Sequence, residues 1–159
     1  MNEIRKATDK DIDTILEMIE NGRKHIRTYN ISQWVNGYPS RQTISDDILN
    51  DLAYVFIIDE KIQGYCAILN HDKCYDEIDG KWQNNGPYIA VHRMVTNGFN
   101  KGLGSLFFDE LKKTYSHIRI DTHEGNISMN KCLLKNNFIY CGIIKLESGD
   151  LRNAYEYIK

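Results

Sequence analysis

Between Tyr88 and Phe138 the chain switches twice from a strand pattern to a helix pattern. That alternation restricts its architecture more than any other feature. Tyr88 to Thr96 is rich in apolar and β-branched residues and is broken by Asn97-Gly98, which marks a strand. Lys101-Gly102-Leu103-Gly104-Ser105 then opens a segment in which Leu103, Leu106, Phe107 and Leu111 recur at helical spacing. Ile118 to Thr122 reads as a second strand. Gly125-Asn126 leads into a second helix with Met129, Cys132 and Leu133 on one face, and Asn136-Asn137 suits a left-handed cap. A β-α-β-α-β succession of this kind predicts parallel strands joined by right-handed crossovers.

The flanks add antiparallel pieces. Ile4 to Ala7 is a short strand, and Thr8-Asp9-Lys10-Asp11 resembles a capping box. Ile12, Ile15, Leu16 and Ile19 then draw one helical stripe. That helix ends at Asn21-Gly22 or runs on to His25-Ile26. Tyr29 to Pro39 is irregular and aromatic. A helix from Ser40 or Thr43 turns Ile44, Ile48, Leu49 and Leu52 inward. Tyr54 to Ile58 and Ile62 to Leu69 form a hairpin, as do Ile139 to Leu146 and Asn153 to Ile158. Asn70 to Gly86 is polar and reads as a loop, with Trp82 its one large apolar anchor. The sum is a single mixed α/β domain over residues 1–159.

Composition narrows the function classes. The formal net charge is −2, so the basic footprint of a nucleic-acid binder is missing. An anionic ligand must be held by a local site instead of a global field. No apolar run approaches the ~20 residues that span a bilayer, and Met1 to Lys6 lacks a signal-peptide core. The expectation is a cytoplasmic protein with no membrane partner. Cys66, Cys74, Cys132 and Cys141 form no C-x-x-C pair, so no metal site is expected. All four should be reduced, three of them buried and Cys74 exposed.

Chemistry concentrates at the glycine-rich turn. A helix N-terminus presents unpaired amides and positive potential, and glycines let a phosphate come close. Met94, Val95 and Thr96 end the strand, and Asn100, Lys101, Gly102, Leu103, Gly104 and Ser105 supply the turn and first helical residues. Gly102 and Gly104 would mark the closest approach, with Lys101 adding charge. A lone G-x-G also serves as a plain strand-to-helix link. Two other phosphate motifs are excluded. The P-loop needs Lys-Ser/Thr after its last glycine, where Ser105-Leu106 stands, and the dinucleotide fingerprint needs glycine where Phe107 stands.

Phe99-Asn100-Lys101-Gly102-Leu103-Gly104, followed by Asn126 opening the next helix and Asn137-Phe138 ending it, resembles the GNAT (Gcn5-related) acetyltransferase superfamily. Arg119-Ile120-Asp121-Thr122-His123 and Tyr140-Cys141-Gly142-Ile143-Ile144 are similar to a small bacterial subgroup of it. The resemblance spans nearly the whole chain. It implies a twisted mixed sheet of about seven strands, splayed at its central pair and flanked by about four helices. It also implies acetyl-CoA in the splay. Met94 to Thr96 would bind the pantetheine arm and polarise the thioester carbonyl, the glycine turn would hold the diphosphate, and Asn126 would order the second side. The sequence departs from the family at three points. Phe99 replaces Arg or Gln, Asn137 replaces Gly, and Leu133 stands where many members carry a tyrosine acid. Water or Tyr140 would then protonate the departing thiolate.

The implied reaction is N-acetyl transfer to a primary amine, either a small molecule or a peptide or protein amine. It needs a base, since amines are protonated at neutral pH. Imidazole as a class titrates near neutrality, so His92 is the first candidate, followed by His123 and Asp121. The plainer readings are a satisfied strand histidine, and Asp121 paired with Arg93 or Arg119. Trp34 and Tyr38 would form an aromatic wall for a cationic acceptor, or else pack as core. Many members of the family dimerise, which leaves a homodimer open here without the sequence deciding it. The alternative function is a CoA-binding protein of the same fold without transfer activity.

Overall fold

The computed structural model describes residues 1–98 and 101–159; Phe99 and Asn100, both assigned to the phosphate turn from sequence, lie outside the described residues. The elements run β1 (Asn2–Lys6), α1 (Ile12–Arg27), α2 (Arg41–Leu49), β2 (Ala53–Ile58), β3 (Lys61–Leu69), β4 (Asp79–Gly80), β5 (Ile89–Thr96), α3 (Leu103–Thr114), β6 (His117–Thr122), α4 (Ile127–Lys135), β7 (Ile139–Lys145) and β8 (Leu151–Ile158). Among the described residues, eight strands form one mixed sheet in the order β1-β2-β3-β5-β6-β8-β7-β4. Only β5 and β6 pair in parallel. The expected second parallel neighbour is not adjacent. β7 pairs antiparallel with β8, and β8 lies between it and β6. The final hairpin therefore inserts its last strand into the slot that the α4 crossover leaves open.

α1 starts behind the expected box. Asp11 accepts from the Thr8 amide at 2.8 Å and from Arg5 at 2.8 and 3.0 Å. The helix runs through Gly22 to Arg27 because its apolar stripe continues to Met18, Ile19 and Ile26, all buried. A Cβ on Gly22 would meet Val95 Cγ2 at 3.0 Å and Trp34 at 3.3 Å, so the missing side chain lets α1 lie close to β5. α2 starts at Ser40, whose hydroxyl accepts from the Thr43 amide at 3.2 Å. Ile44 is fully buried there, whereas Leu49 is 82% exposed. Leu49 ends the helix, off the Ile44–Ile48 row, and so does not face inward as expected.

α3 and α4 cover one face. Phe107, Phe108, Leu111 and Leu133 pack there with Phe56, Ile118 and Ile120, while Leu106 sits at the rim. α1 and α2 cover the other face over β2, β3 and β5. Beyond them that face is closed by the 70–86 segment. Trp82 is not its only anchor, because Tyr75 is buried as deeply and both pack on Ala90, Cys141, Ile144 and Ala154. The Trp82 indole donates to the Tyr75 carbonyl at 2.8 Å, the Gln83 amide donates to Glu156 at 2.7 Å, and Asp79 and Gly80 pair with β7. The segment is polar because it is short of side chains to bury, yet two aromatics are enough to fasten it. Cys66 and Cys141 are buried, while Cys74 and Cys132 are partly exposed. No helix among the described residues is long and apolar enough to cross a membrane.

Candidate active site

Pairing of β5 with β6 covers only Ile89↔Ile118, Ala90↔Arg119 and Val91↔Ile120. Beyond that point β6 continues against β8, with Asp121↔Ala154 and Thr122↔Asn153. β5 meanwhile runs on through His92 to Thr96 along β3. The two strands therefore part, and a cleft of about 640 Å³ opens between them. A bulge in β5 accompanies the separation. The β3–β5 register shifts between Tyr65 and Ala67, and Arg93 opposite it has φ 53°. Bulges bend a strand and re-aim its side chains, and a non-glycine residue at positive φ persists only where its surroundings hold it. Here Arg93 donates to the two oxygens of buried Asp47 at 2.6 and 2.9 Å, and Tyr65 donates to the same carboxylate at 2.5 Å. Burial together with Asp47 raises the Tyr65 phenol.

At one end the cleft meets the start of α3. Gly102 is the N-cap, with φ 71° and open space where a side chain would project. The first helical bond is Leu106 N–H to the Gly102 carbonyl at 3.2 Å, so the amides of Leu103, Gly104 and Ser105 precede it. Lys101 lines the same end. Gly104 sits against Cys132. The Ser105 hydroxyl accepts from Asn136 at 3.0 Å, so the side chain ties α3 to α4 and only the backbone serves the cleft. Met94 and Val95 bury their side chains in opposite cores, leaving their main chain on the cleft side. Thr96 closes the strand, its hydroxyl donating to the Gly98 carbonyl at 3.2 Å. On the far wall Asn126 caps α4. Its Oδ1 accepts from the Met129 amide at 3.3 Å and its Nδ2 donates to Gln33 at 3.1 Å.

Midway along the cleft His92 and Asp121, both named from sequence, meet Asp72 and Tyr75, which the sequence did not single out. His92 and Asp121 each lie one residue past the last β5–β6 pair, Val91↔Ile120. His92 Nε2 is 2.7 Å from Asp72 Oδ2, an ion-pair distance, although the angle is poor for a hydrogen bond. Asp72 is fixed by the Cys74 amide at 2.8 Å, and its own amide donates to the Tyr88 hydroxyl at 3.0 Å. Burial works to raise the Asp72 carboxyl, but His92 and the Cys74 amide outweigh it and hold the group below its usual range. The Tyr75 ring stacks on His92 with centroids 6.0 Å apart, and its hydroxyl donates to Asp121 at 2.6 Å. Burial raises Asp121 above the usual carboxylate range, against the nearby His92 and the Tyr75 bond.

Asp121 pairs with neither Arg93 nor Arg119. Arg93 is taken by Asp47, and Arg119 by Glu156 at 3.1 Å between the Trp82 and Tyr88 rings. His123 does not join His92. It lines a smaller depression beside the cleft, and its Nδ1 accepts from the Gly125 amide at 2.9 Å. Burial and Arg152 lower its titration. Leu133 is fully buried in the α3–α4 core. Tyr140 stands edge-on to Tyr155, outside the cleft lining. Trp34 and Tyr38 both line the cleft. Trp34 also packs on the α1–α2 core, and the Tyr38 hydroxyl accepts from Arg93 at 3.1 Å. Arg27 holds their loop by donating to the carbonyls of Ile31, Gln33 and Trp34.

No family model and no curated protein matches the chain. Solved structures do. A GNAT-family acetyltransferase from Streptococcus agalactiae is 37% identical with a TM-score of 0.91, covering 99% of this chain and 95% of its own. A GNAT-family acetyltransferase from Bacillus cereus is 21% identical with a TM-score of 0.66, covering 100% and 98%. An aminoglycoside acetyltransferase in complex with coenzyme A is 17% identical with a TM-score of 0.71, covering 100% and 95%. The last two share the fold alone.

Proposed function

Because the chain belongs to the GNAT acetyltransferase family, we propose that it transfers an acetyl group from acetyl-CoA to a primary amine by direct attack in a ternary complex. The observation that carries this reading is the parting of β5 and β6 after Val91↔Ile120, beside a helix whose glycine N-cap leaves open space. These residues suit the cosubstrate. The free β5 edge from Met94 to Thr96 matches the amides and carbonyls of the pantetheine arm, as an added strand would. The Leu103, Gly104 and Ser105 amides and Lys101 suit its diphosphate.

The roles of this chain's own groups follow from position. His92 accepts the proton that the amine gives up as it attacks. Asp72 orients the His92 ring and favours its protonated form as the proton arrives. The main-chain amides of Met94 to Thr96 stabilise the charge that grows on the thioester oxygen. Trp34 and Tyr38 wall the approach of the acceptor. His123 lies outside the main cleft and takes no part in the proton transfer. The departing CoA thiolate takes its proton from solvent water, since Leu133 has none to give.

The test is release of free CoA thiol when acetyl-CoA is mixed with the protein and a panel of amines. Amine-dependent release supports the proposal. The buried leucine at position 133 favours one competing reading, a CoA-binding protein without transfer. That reading predicts CoA-dependent stabilisation with no thiol release from any amine.

A further inference from the structure

Among the described residues Arg152 makes no ion pair, and its charge is felt at longer range, by Asp121. It lies near the start of β8, opposite Ile144, and is 8% exposed. Among the described residues its one hydrogen bond is from Nη1 to the carbonyl of Leu151 at 2.9 Å, out of the five N–H groups a guanidinium carries. Among the described residues no carboxylate comes within ion-pair distance of it. The other buried arginines are saturated, Arg93 on Asp47 and Arg119 on Glu156 between two rings. A buried, unpaired guanidinium is costly to fold around, so its retention points to a partner that comes from outside.

The surroundings say what the partner is. Arg152 lines the same cleft as His92 and Asp121. Asp121 sits opposite Ala154, and Arg152, two residues from Ala154, shares its face of the sheet. The three side chains thus stand on one face across β5, β6 and β8. Two strand spacings, roughly 10 Å where strands stay paired and more where β5 has parted from β6, separate the outer two strands, a span that one long guanidinium side chain and a small ligand can bridge. The diphosphate site lies at the opposite end, at Gly102, so the missing anion does not belong to the cosubstrate. Asp121 is turned to the Tyr75 hydroxyl, Asp150 is exposed and makes no bridge to Arg152, and His123 faces the adjoining depression. A guanidinium fork matches a planar carboxylate with two parallel bonds.

Resting on the acetyltransferase reading, we propose that Arg152 anchors a carboxylate of the acceptor, which makes the substrate class an amino acid or a similarly small amino carboxylate. The acceptor's amine then reaches His92 while its carboxylate sits on Arg152.

The experiment compares free amino acids with their carboxamides, both in transfer assays with acetyl-CoA and in calorimetric binding to the CoA-loaded protein. Wild type, Arg152→Gln and Arg152→Lys are used, with melting temperature checked for each. The inference predicts that wild type prefers the acid over the matched amide by about tenfold or more, the scale of a lost charge-assisted pair. Arg152→Gln should lose that preference by raising KM for acids, with KM for acetyl-CoA unchanged, and Arg152→Lys should restore part of it. Equal use of acids and amides by wild type, or an equal effect of Arg152→Gln on both, overturns the inference and leaves acetyl transfer standing. Carboxylate binding that depends on Arg152 without any transfer overturns the enzyme reading and leaves the anchor standing. If Arg152→Gln does not fold, the wild-type comparison of acids with amides decides alone.

Discussion

His92, proposed as the base, meets a residue twenty positions earlier in the chain. Its Nε2 faces Asp72 at 2.7 Å, and Asp72 is itself held by a backbone amide. His92→Ala should lower the rate of acetyl transfer by about a hundredfold or more while leaving CoA-dependent stabilisation intact. Asp72→Asn should lower kcat by about tenfold with little change in KM for acetyl-CoA, since it acts through His92 and not on the cosubstrate. Steady-state kinetics on purified variants checks both, and unchanged kcat in both would remove the proposed dyad. A stability prediction belongs to Asp11. Arg5 and the Thr8 amide hold its carboxyl below the usual range, against the opposing effect of burial. A depressed folded-state value means that stability is fully present above the unfolded value near 3.9 and is lost as pH falls through the folded one. Asp11→Asn should therefore cost about 1–3 kcal/mol at neutral pH, and the gap from wild type should close in acid. Denaturant melts at the two pH values measure it.

The cleft is built where elements end. α3 begins at Gly102 in a left-handed conformation, and α4 begins at Asn126, which also reaches across to Gln33. Gly102→Ala should cost about 1–2 kcal/mol from the positive φ and weaken CoA binding by about tenfold, because its methyl group projects where a phosphate would approach. Asn126→Ala should cost about 1 kcal/mol as a lost cap and loosen the Gln33–Trp34 side of the cleft. Thermal melts and CoA titrations of each variant decide. Most elements were legible because periodicity survives wherever a face is buried. The strand from Tyr88, the Leu103 helix and both hairpins needed nothing more. The glycine turn was legible for the same local reason. The Asp72–Tyr75 contribution was not, because a polar segment gives no period, and only the partnering of Trp82 with Tyr75 against Ala90 and Ala154 brings it over the strands. Arg152 was missed likewise. Its significance is the lack of a partner, and a sequence records no partners. The insertion of β8 beside β6 was hidden because strand order across a sheet leaves no mark on hydrophobic pattern.

At the scale of the whole molecule, the sheet is continuous except where its one parallel pair opens, and the elements around the gap divide the work. The helix face with α3 and α4 supplies the glycine turn and one wall. On the opposite face α1 and the aromatic 29–39 segment line the proposed acceptor side, and the 70–86 segment backs it through Asp72 and Tyr75 against His92 and Asp121. The buried Arg93–Asp47–Tyr65 cluster ties the bulged strand to α2. The direct test is a thermal melt of the wild-type protein with and without CoA. A single cleft occupied at about 100 times Kd should add about 2.7 kcal/mol, or roughly 5–10 °C in Tm for a chain of this size, and Gly102→Ala should show much less of that gain. A melt that CoA leaves unmoved at millimolar concentration would contradict the account, because the parted strands and the free helix start would then hold nothing.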